Sequence, residues 1–395
     1  MSERYDMIVI GAGISGLAMA FEAQQAGMGV LVLEKENRSG GCFHSEIVPD
    51  EGEPFWLEMG THTCFNSYAR LLNILHRLDL MDQMQERKKL RYRMLAGNHL
   101  VSIPSRLHVL ELVTHVWRLF TLKKEGKSIA DYYTALLGEK NYTDVFRHAF
   151  GAVLCQPADN VPADMLFRKR PRDKSVTRSY TFAGGLSHII TALEQRLEVR
   201  TGQEIRAITR HEEAYAIEVE NGVYHCDKLV CATPAPAAAR LLQQVHADIA
   251  EQLAWVNEVE IESLAIVVNR QVLSLEPMAG VIAADGDFYS AVSRDFVEHP
   301  DLRGFTFHFK PGLLGDDQKL ACVCNVLGLQ SSDLLYVFNK TNRLPAPEAG
   351  HHELTGDLDA LLAGKPLALV GNYFNGVAVE DCLERVEKEF SRLSA

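Results

Sequence analysis

The chain has 395 residues, enough for two domains, and its 47% apolar against 23% charged content is that of an ordinary globular protein. Its formal net charge of −12 leaves no basic excess to displace counterions from a polyanion, which argues against a general nucleic-acid binder. The start, Met1-Ser2-Glu3-Arg4, runs straight into an apolar strand and no stretch reaches the roughly 18 apolar residues of a membrane span, so a cytoplasmic location is expected.

Asp6 to Ile10 is a short apolar run of the kind that forms a buried parallel strand. Gly11-Ala12-Gly13-Ile14-Ser15-Gly16 follows at once, then a small-residue helix from Leu17 to Ala26 and a second strand from Gly29 to Leu33. This is the frame of a dinucleotide-binding unit. Gly11 permits the sharp exit from the strand, Gly13 a close backbone approach to a pyrophosphate, and Gly16 close packing of helix on sheet. The N–H groups around Ile14 and Ser15, with the helix dipole, suit phosphate oxygens. Glu34 lies 18 positions past Gly16, close to the usual spacing of about 20, where a carboxylate accepts from ribose hydroxyls.

Glu34-Lys35-Glu36-Asn37-Arg38-Ser39-Gly40-Gly41 resembles the extended fingerprint of FAD enzymes of the flavin amine oxidase superfamily. The resemblance implies FAD as cofactor, with Arg38 and the Gly40-Gly41 turn along the pyrophosphate and ribityl chain and Lys35 beside them. Farther on, Phe55 to Glu58 reads as a strand breaking into Met59-Gly60-Thr61-His62. In that superfamily this segment passes the flavin ring. Gly60 then gives the backbone clearance, and His62 is the candidate acid, base or donor, the other reading being a histidine that satisfies loop carbonyls.

From Tyr68 to about Phe167 the pattern is mainly helical. Within it, Leu107, Leu110, Val113, Val116, Trp117 and Phe120 form an apolar stripe edged by Arg106, Arg118, Lys123 and Lys124. A core helix with snorkelling charges is the preferred reading, with a peripheral membrane contact through 106–124 or a lid over an apolar pocket as alternatives. Arg168 to Arg178 reads as a crossing linker. A helix through Leu193, alternating strands at Val199 to Ile208 and Tyr215 to Val219, and a buried strand ending Ala232-Thr233-Pro234 return the chain to the nucleotide domain. Val259 to Val326 is strand-rich, most clearly at Leu264 to Val268 and Leu320 to Val326. Ala284-Asp285-Gly286-Asp287 has some likeness to a flavin hydroxylase motif, but its surroundings fit a hairpin better. The eight cysteines form no CxxC pair, so reduced thiols and no metal site are expected.

Leu367 to Val370 is a last buried strand, followed by Gly371-Asn372-Tyr373-Phe374-Asn375-Gly376-Val377-Ala378-Val379-Glu380-Asp381-Cys382 and an amphipathic helix. This loop, together with Thr181-Phe182-Ala183-Gly184-Gly185-Leu186, the Ala-Thr-Pro strand end and the region from Val281 to Gly312, resembles protoporphyrinogen and coproporphyrinogen oxidases. The likeness implies contacts to FAD from Gly371, Asn372 and Val379, and from Ile205 against the adenine. Ala378 stands where that family usually has glycine, and the chain is some tens of residues shorter than most members. No lysine occurs between Ile261 and Val268, where amine oxidases commonly keep one.

The expected fold is α/β: an FAD-binding Rossmann-like domain (1–66, 178–245 and 350–395) with an interleaved α+β substrate domain (67–177 and 246–349). The expected function is a protoporphyrinogen-oxidase-like FAD oxidoreductase. It would transfer hydride from a hydrophobic ring substrate to flavin N5, with reoxidation by O2 or another acceptor. The alternatives are an amine oxidase or carotenoid-type desaturase of the same superfamily, a non-redox enzyme like UDP-galactopyranose mutase, and a flavin binder without turnover. The expected partner is a hydrophobic small-molecule substrate, with no nucleic acid; the oligomeric state stays open.

Overall fold

The computed structural model describes residues 3–49, 52–211 and 214–394; Met1 and Ser2, part of the expected bare start, lie outside them. The first strand, Glu3–Ile10, alternates its buried side chains between two separate cores. Met7 and Val9 face the helices Ile14–Gln25, Ser187–Glu194 and Val379–Ser394, while Ile8 and Ile10 face Ala235–Leu242, Ala247–Ala254 and His351–Leu362. Burial on both faces explains why the run is apolar without alternation. Parallel pairing joins this strand to Val30–Leu33 on one side and to Gly222–Cys231 on the other. Glu198–Arg200 extends the first edge, Leu367–Leu369 pairs in parallel with Gly222–Cys231, and an antiparallel meander of Ala207–His211 and Ala214–Val219 completes the sheet.

The register of these strands positions the site. Ile10 pairs with Leu33 and with Cys231, and Cys231 pairs with Leu369. Four carboxyl ends therefore stop in one row, and the loops starting at Gly11, Glu34, Ala232 and Val370 open on one edge. A crevice outside the carboxyl ends of parallel strands is where such sheets take their ligands.

A second sheet of seven strands runs in the order Leu334–Pro345, Glu258–Asn269, Leu302–Phe309, Phe288–Ser293, Gly280–Ala283, Tyr92–Ala96, His99–Ser102. One face carries Leu264, Ile266, Val268, Phe305, Phe307 and Phe309 against the helix Asp316–Leu327. The opposite face carries Ala265 and Val267 against Phe55, Leu57 and Met59. The strand Phe55–Glu58, paired with Ser45–Val48, thus packs against the second sheet and delivers the Gly60 turn beneath it.

Several expectations fail. Leu320 to Val326 is helix, not strand: Asp316–Leu327 opens with the Gln318 side chain accepting from the Gly315 N–H and closes on Gly328 in the left-handed region. A short apolar run lacks a decisive period, so its pattern suits a strand as well as a buried helix. The mainly helical stretch contains the hairpin Tyr92–Ala96 and His99–Ser102, turned at Gly97-Asn98. Val199 to Ile208 is two strands separated by 201–206.

The stripe at 106–124 is not one core helix. It breaks into the short helix Val109–His115 and a 3-10 turn, Val116–Phe120, neither with a buried residue. Leu110 is 86% and Phe120 88% exposed, and Val109, Val113, Trp117 and Leu119 are exposed with them. Arg118 donates to Ala135 O and Lys124 to Leu166 O, so these two cations hold the segment down rather than snorkel.

Candidate active site

The glycine loop is built so that one position is open and its neighbours are closed. A β-carbon on Gly16 would lie 2.0 Å from Gly11 O, and one on Gly11, whose φ is +101°, would lie 2.7 Å from Ala232 O. One on Gly13 would meet nothing within 4 Å. Gly13 caps the Ile14–Gln25 helix with no side-chain bond and no acid in the first turn, which leaves a helix N-terminus facing that open space. The Gly40-Gly41 turn lies against the same loop: Gly40 N donates to Ala12 O (2.8 Å) and Gly40 bridges in parallel to Gly13.

Glu34 closes the adjoining end. Its Oε2 accepts from Ala12 N (2.8 Å) and its Oε1 from Glu36 N (2.9 Å). Gln203 N donates to Glu34 O and Gly202 N to Glu36 O, which brings Ile205 to this end of the crevice, half-buried on the apolar cluster under the sheet. Lys35 points out and pairs with Glu36 at 3.4 Å. Arg38 folds back on its own turn, donating to Ser39 O (2.9 Å) and Gly41 O (2.9 Å).

The far loop arrives beside the first. Ser15, buried in the first turn of its helix, meets the thiol of Cys382 in the first turn of Val379–Ser394. Gly371 and Asn372 are half-buried in the loop between, and Val379 is buried. The acids in the first turn of this helix are paired: Glu380 with Arg70 (3.2 Å), and Asp381 with Arg168 (2.8 Å) and Arg170. The 168–178 linker therefore also anchors the last helix, through two arginines that its charge pattern did not single out. Ala378 accepts from Asp381 N and Cys382 N and packs against the core, so its methyl is accommodated.

Backbone packing alone requires a glycine at Gly60. A β-carbon there would lie 2.2 Å from Cys42 O, the same carbonyl that accepts from Thr61 N at 2.8 Å. The turn is locked to the Gly40-Gly41 segment, and this aims His62 at the second sheet. His62 Nε2 lies 2.7 Å from His308 Nε2, and Arg87 grips His62 O at 2.6 Å. Burial drives both imidazoles down, His308 to about 4 and His62 well below its usual value, so both are neutral at pH 7.

Sequence reading missed His308 and Lys340. In Phe305-Thr306-Phe307-His308-Phe309 the phenylalanines share the apolar face, which puts Thr306 and His308 together on the other. That alternation is the signal that could have found His308. Lys340 stands opposite Ser263 in the ladder of Glu258–Asn269 with Leu334–Pro345, and its Nζ donates to Gly41 O at 2.9 Å. Burial, then the neighbouring Arg38, pulls its ammonium down to about 8. Lys340 and Arg38 also help hold His44 near 4, after burial itself.

Comparison with known proteins settles the family. The model for flavin containing amine oxidoreductase matches residues 14–261, more than half of the chain. The chain belongs to that family. FAD is accordingly its cofactor, and the crevice fits it: an uncapped helix N-terminus, a direction open to a pyrophosphate at Gly13, and a carboxylate at the end of the second strand. Among curated relatives, the flavin-dependent L-tryptophan oxidase of Lentzea aerocolonigenes is 23% identical over 273 residues, 57% of each chain. The chain thus spans little more than half the length of that relative. Of the solved structures, a provisionally named protoporphyrinogen oxidase from Exiguobacterium sp. 255-15 superposes with a TM-score of 0.81 at 18% identity over 99% of this chain and 98% of its own. A putrescine oxidase superposes with a TM-score of 0.73 at 12% identity over the whole of both chains. These likenesses show the fold alone: an α/β FAD-binding fold that mixes helices and sheets.

Proposed function

We propose that the chain is an FAD-dependent oxidoreductase, resembling protoporphyrinogen oxidase, that takes hydride from a hydrophobic ring substrate. Bound FAD would accept the hydride at N5 and pass the electrons on to O2 or another acceptor. The observation that carries this reading is the single row of strand ends, which opens the N-terminal glycine loop and the 371–378 loop on one crevice. Gly13, Ile14, Ser15 and the Gly40-Gly41 turn would hold the pyrophosphate, with Gly11 and Gly16 shaping the loop. Glu34 and Ile205 would receive the adenosine, with Lys35 at its rim. Gly371, Asn372 and Val379 would receive the flavin end. The uncapped helix start would supply donors to the phosphates without reorganisation, and the apolar packing of the strand under the second sheet would help exclude water from the reacting side. His62 would face substrate from the Gly60 turn.

An amine oxidase is the second reading, and Lys340 favours it. The lysine missing from Ile261 to Val268 has a counterpart one strand away, opposite Ser263 and bonded to the Gly41 turn. Anaerobic mixing of the yellow holoprotein with porphyrinogens, amines and polyenes separates the readings by which class bleaches the flavin. Reduction by a porphyrinogen supports the first, by an amine alone the second. No reduction by any of them removes both and returns the non-redox mutase and the flavin binder without turnover.

The exposed residues between 109 and 120 favour a peripheral membrane contact. Trp117 and Phe120 are the side chains that insert at a lipid interface, and Arg106 and Lys123 at the segment's edges suit anionic headgroups. Among the described residues no helix is long and apolar enough to cross a membrane. Co-sedimentation with anionic vesicles tests this contact.

A further inference from the structure

Asn342 and His62 are the ends of a buried chain of polar side chains, with Ser263 and His308 between them, whose direction can be deduced. Asn342 Nδ2 donates to Met59 O at 2.7 Å, which fixes the orientation of its amide, and also to Ser263 Oγ at 3.3 Å. Ser263 Oγ is 3.1 Å from His308 Nδ1. His308 Nε2 is 2.7 Å from His62 Nε2.

Ser263 is only 2% exposed, and its hydroxyl proton must find an acceptor. Since Asn342 already donates to the serine oxygen, the acceptor left to the O–H is His308 Nδ1. A neutral imidazole that accepts at Nδ1 carries its proton at Nε2. His308 therefore donates from Nε2 to His62 Nε2, and His62 in turn carries its proton at Nδ1. The reverse order would give Ser263 two donors and leave its own O–H unmatched in a buried place. A doubly protonated His62 would set two N–H groups against each other at 2.7 Å, and a doubly protonated His308 would turn a second donor on Ser263 and leave the serine O–H unmatched.

From this we propose that the Asn342–Ser263–His308 chain holds His62 in the Nδ1–H form, so that it presents a hydrogen-bond donor, and not a base, to the occupant of the site. The complementary ligand group is an acceptor: a carbonyl or anionic oxygen, or an unprotonated ring nitrogen. His308 and Ser263 are positioning residues that act through His62. The proposal rests on the reading that His62 faces substrate, but its core can be observed without turnover. Burial keeps both rings neutral across the physiological range, so the arrangement persists there.

The test is long-range 1H–15N correlation on histidine-labelled full-length holoprotein, with His62 and His308 assigned from the spectra of His62→Gln and His308→Gln. The expected result is a protonated Nδ1 on His62 and a protonated Nε2 on His308. His308→Gln, whose amide still donates, should keep the His62 signature; His308→Leu should release it to the Nε2–H form. Ser263→Ala, a smaller change for a chain that must still fold, should mix the two tautomers in both rings. A His62 protonated at Nε2 in the wild-type protein, or one unmoved in both His308→Leu and Ser263→Ala, overturns the proposal. Loss of flavin reduction is read separately: if no substrate class bleaches the flavin while the tautomers are as stated, the oxidoreductase reading falls and the His62 assignment stands.

Discussion

Replacing Gly13 and Gly16 by alanine, one at a time, should separate cofactor recognition from folding. At Gly16 the new methyl would sit 2.0 Å from Gly11 O and 3.0 Å from the Ala232 β-carbon. The first of these is backbone and cannot rotate away, so the Ile14–Gln25 helix must shift. Overpacking of this kind costs about 1–3 kcal/mol, and the immovable partner places Gly16→Ala toward the upper end. At Gly13 no atom lies within 4 Å and the backbone, φ −71° and ψ 173°, is open to any residue. The weaker cap of alanine and its lower unfolded-state entropy offset each other to within about 1 kcal/mol. The methyl of Gly13→Ala instead fills the space proposed for the pyrophosphate. Losing one charge-assisted hydrogen bond there, about 1.5–3 kcal/mol, weakens FAD binding roughly 10- to 150-fold. Urea unfolding of the two apoproteins and FAD titration by fluorescence quenching give both numbers. Gly13→Ala that binds FAD like the wild type, or that loses as much apoprotein stability as Gly16→Ala, would refute the reasoning.

Glu58, buried and bonded to Ser45 Oγ (2.7 Å) and Leu186 N (2.8 Å), is raised by burial to about 7. Its folded state binds the proton more tightly than the unfolded state, whose value is 4.5, so its contribution is full below about 4.5 and is lost as pH rises through 7. Glu58→Gln should flatten that part of the stability–pH curve; an unchanged slope in chemical denaturation contradicts the assignment. Arg385 is buried between Leu369 O, Asp359 and Glu389 and stacks 3.6 Å from the Phe374 ring centroid. Arg385→Leu takes the donor from Leu369 O and one of two cations from beside buried Glu389, which keeps Arg392 at 2.7 Å; it should cost about 1–3 kcal/mol in urea unfolding, against near-neutrality if the network is dispensable. Leu110→Ser with Phe120→Ser should shift unfolding by no more than about 0.5 kcal/mol, since both side chains are already in water, yet abolish vesicle binding. Vesicle binding that survives the double change removes the membrane contact.

The nucleotide half was readable because its signals are local. Gly16 sits against Gly11 O and Glu34 against Ala12 N within one strand–helix–strand unit, although the atom that excludes a side chain at Gly11 is Ala232 O, far along the chain. The Asp316–Leu327 helix was misread because its apolar residues also alternate at Cys322 and Cys324, and the deciding features are end caps at Gly315 and Gly328. The hairpin at Gly97-Asn98 carried a turn signal but stood inside a helical stretch that overrode it. The 109–120 segment shows the limit of pattern: an apolar stripe says that a face wants to leave water, but not what covers it. For His308 the alternation of its strand gives the face, but the pairing with His62 is not legible in the sequence. His308 meets His62 across 246 positions of chain, and only the approach of the Gly60 turn to the second sheet makes them a pair. At Gly60 the Cys42 carbonyl forbids a side chain, a contact between two loops that the sequence does not display.

The central claim is that one crevice, opened by the aligned ends of four parallel strands, holds FAD from Glu34 to Val379. A crystal structure of the purified yellow holoprotein tests it most directly. The account predicts adenosine against Glu34 and Ile205, pyrophosphate on the N–H groups after Gly13, and the ring system between the Gly60 turn and the start of the last helix. FAD bound elsewhere, or a cofactor whose phosphates do not meet the helix start at Ile14 and Ser15, would contradict it.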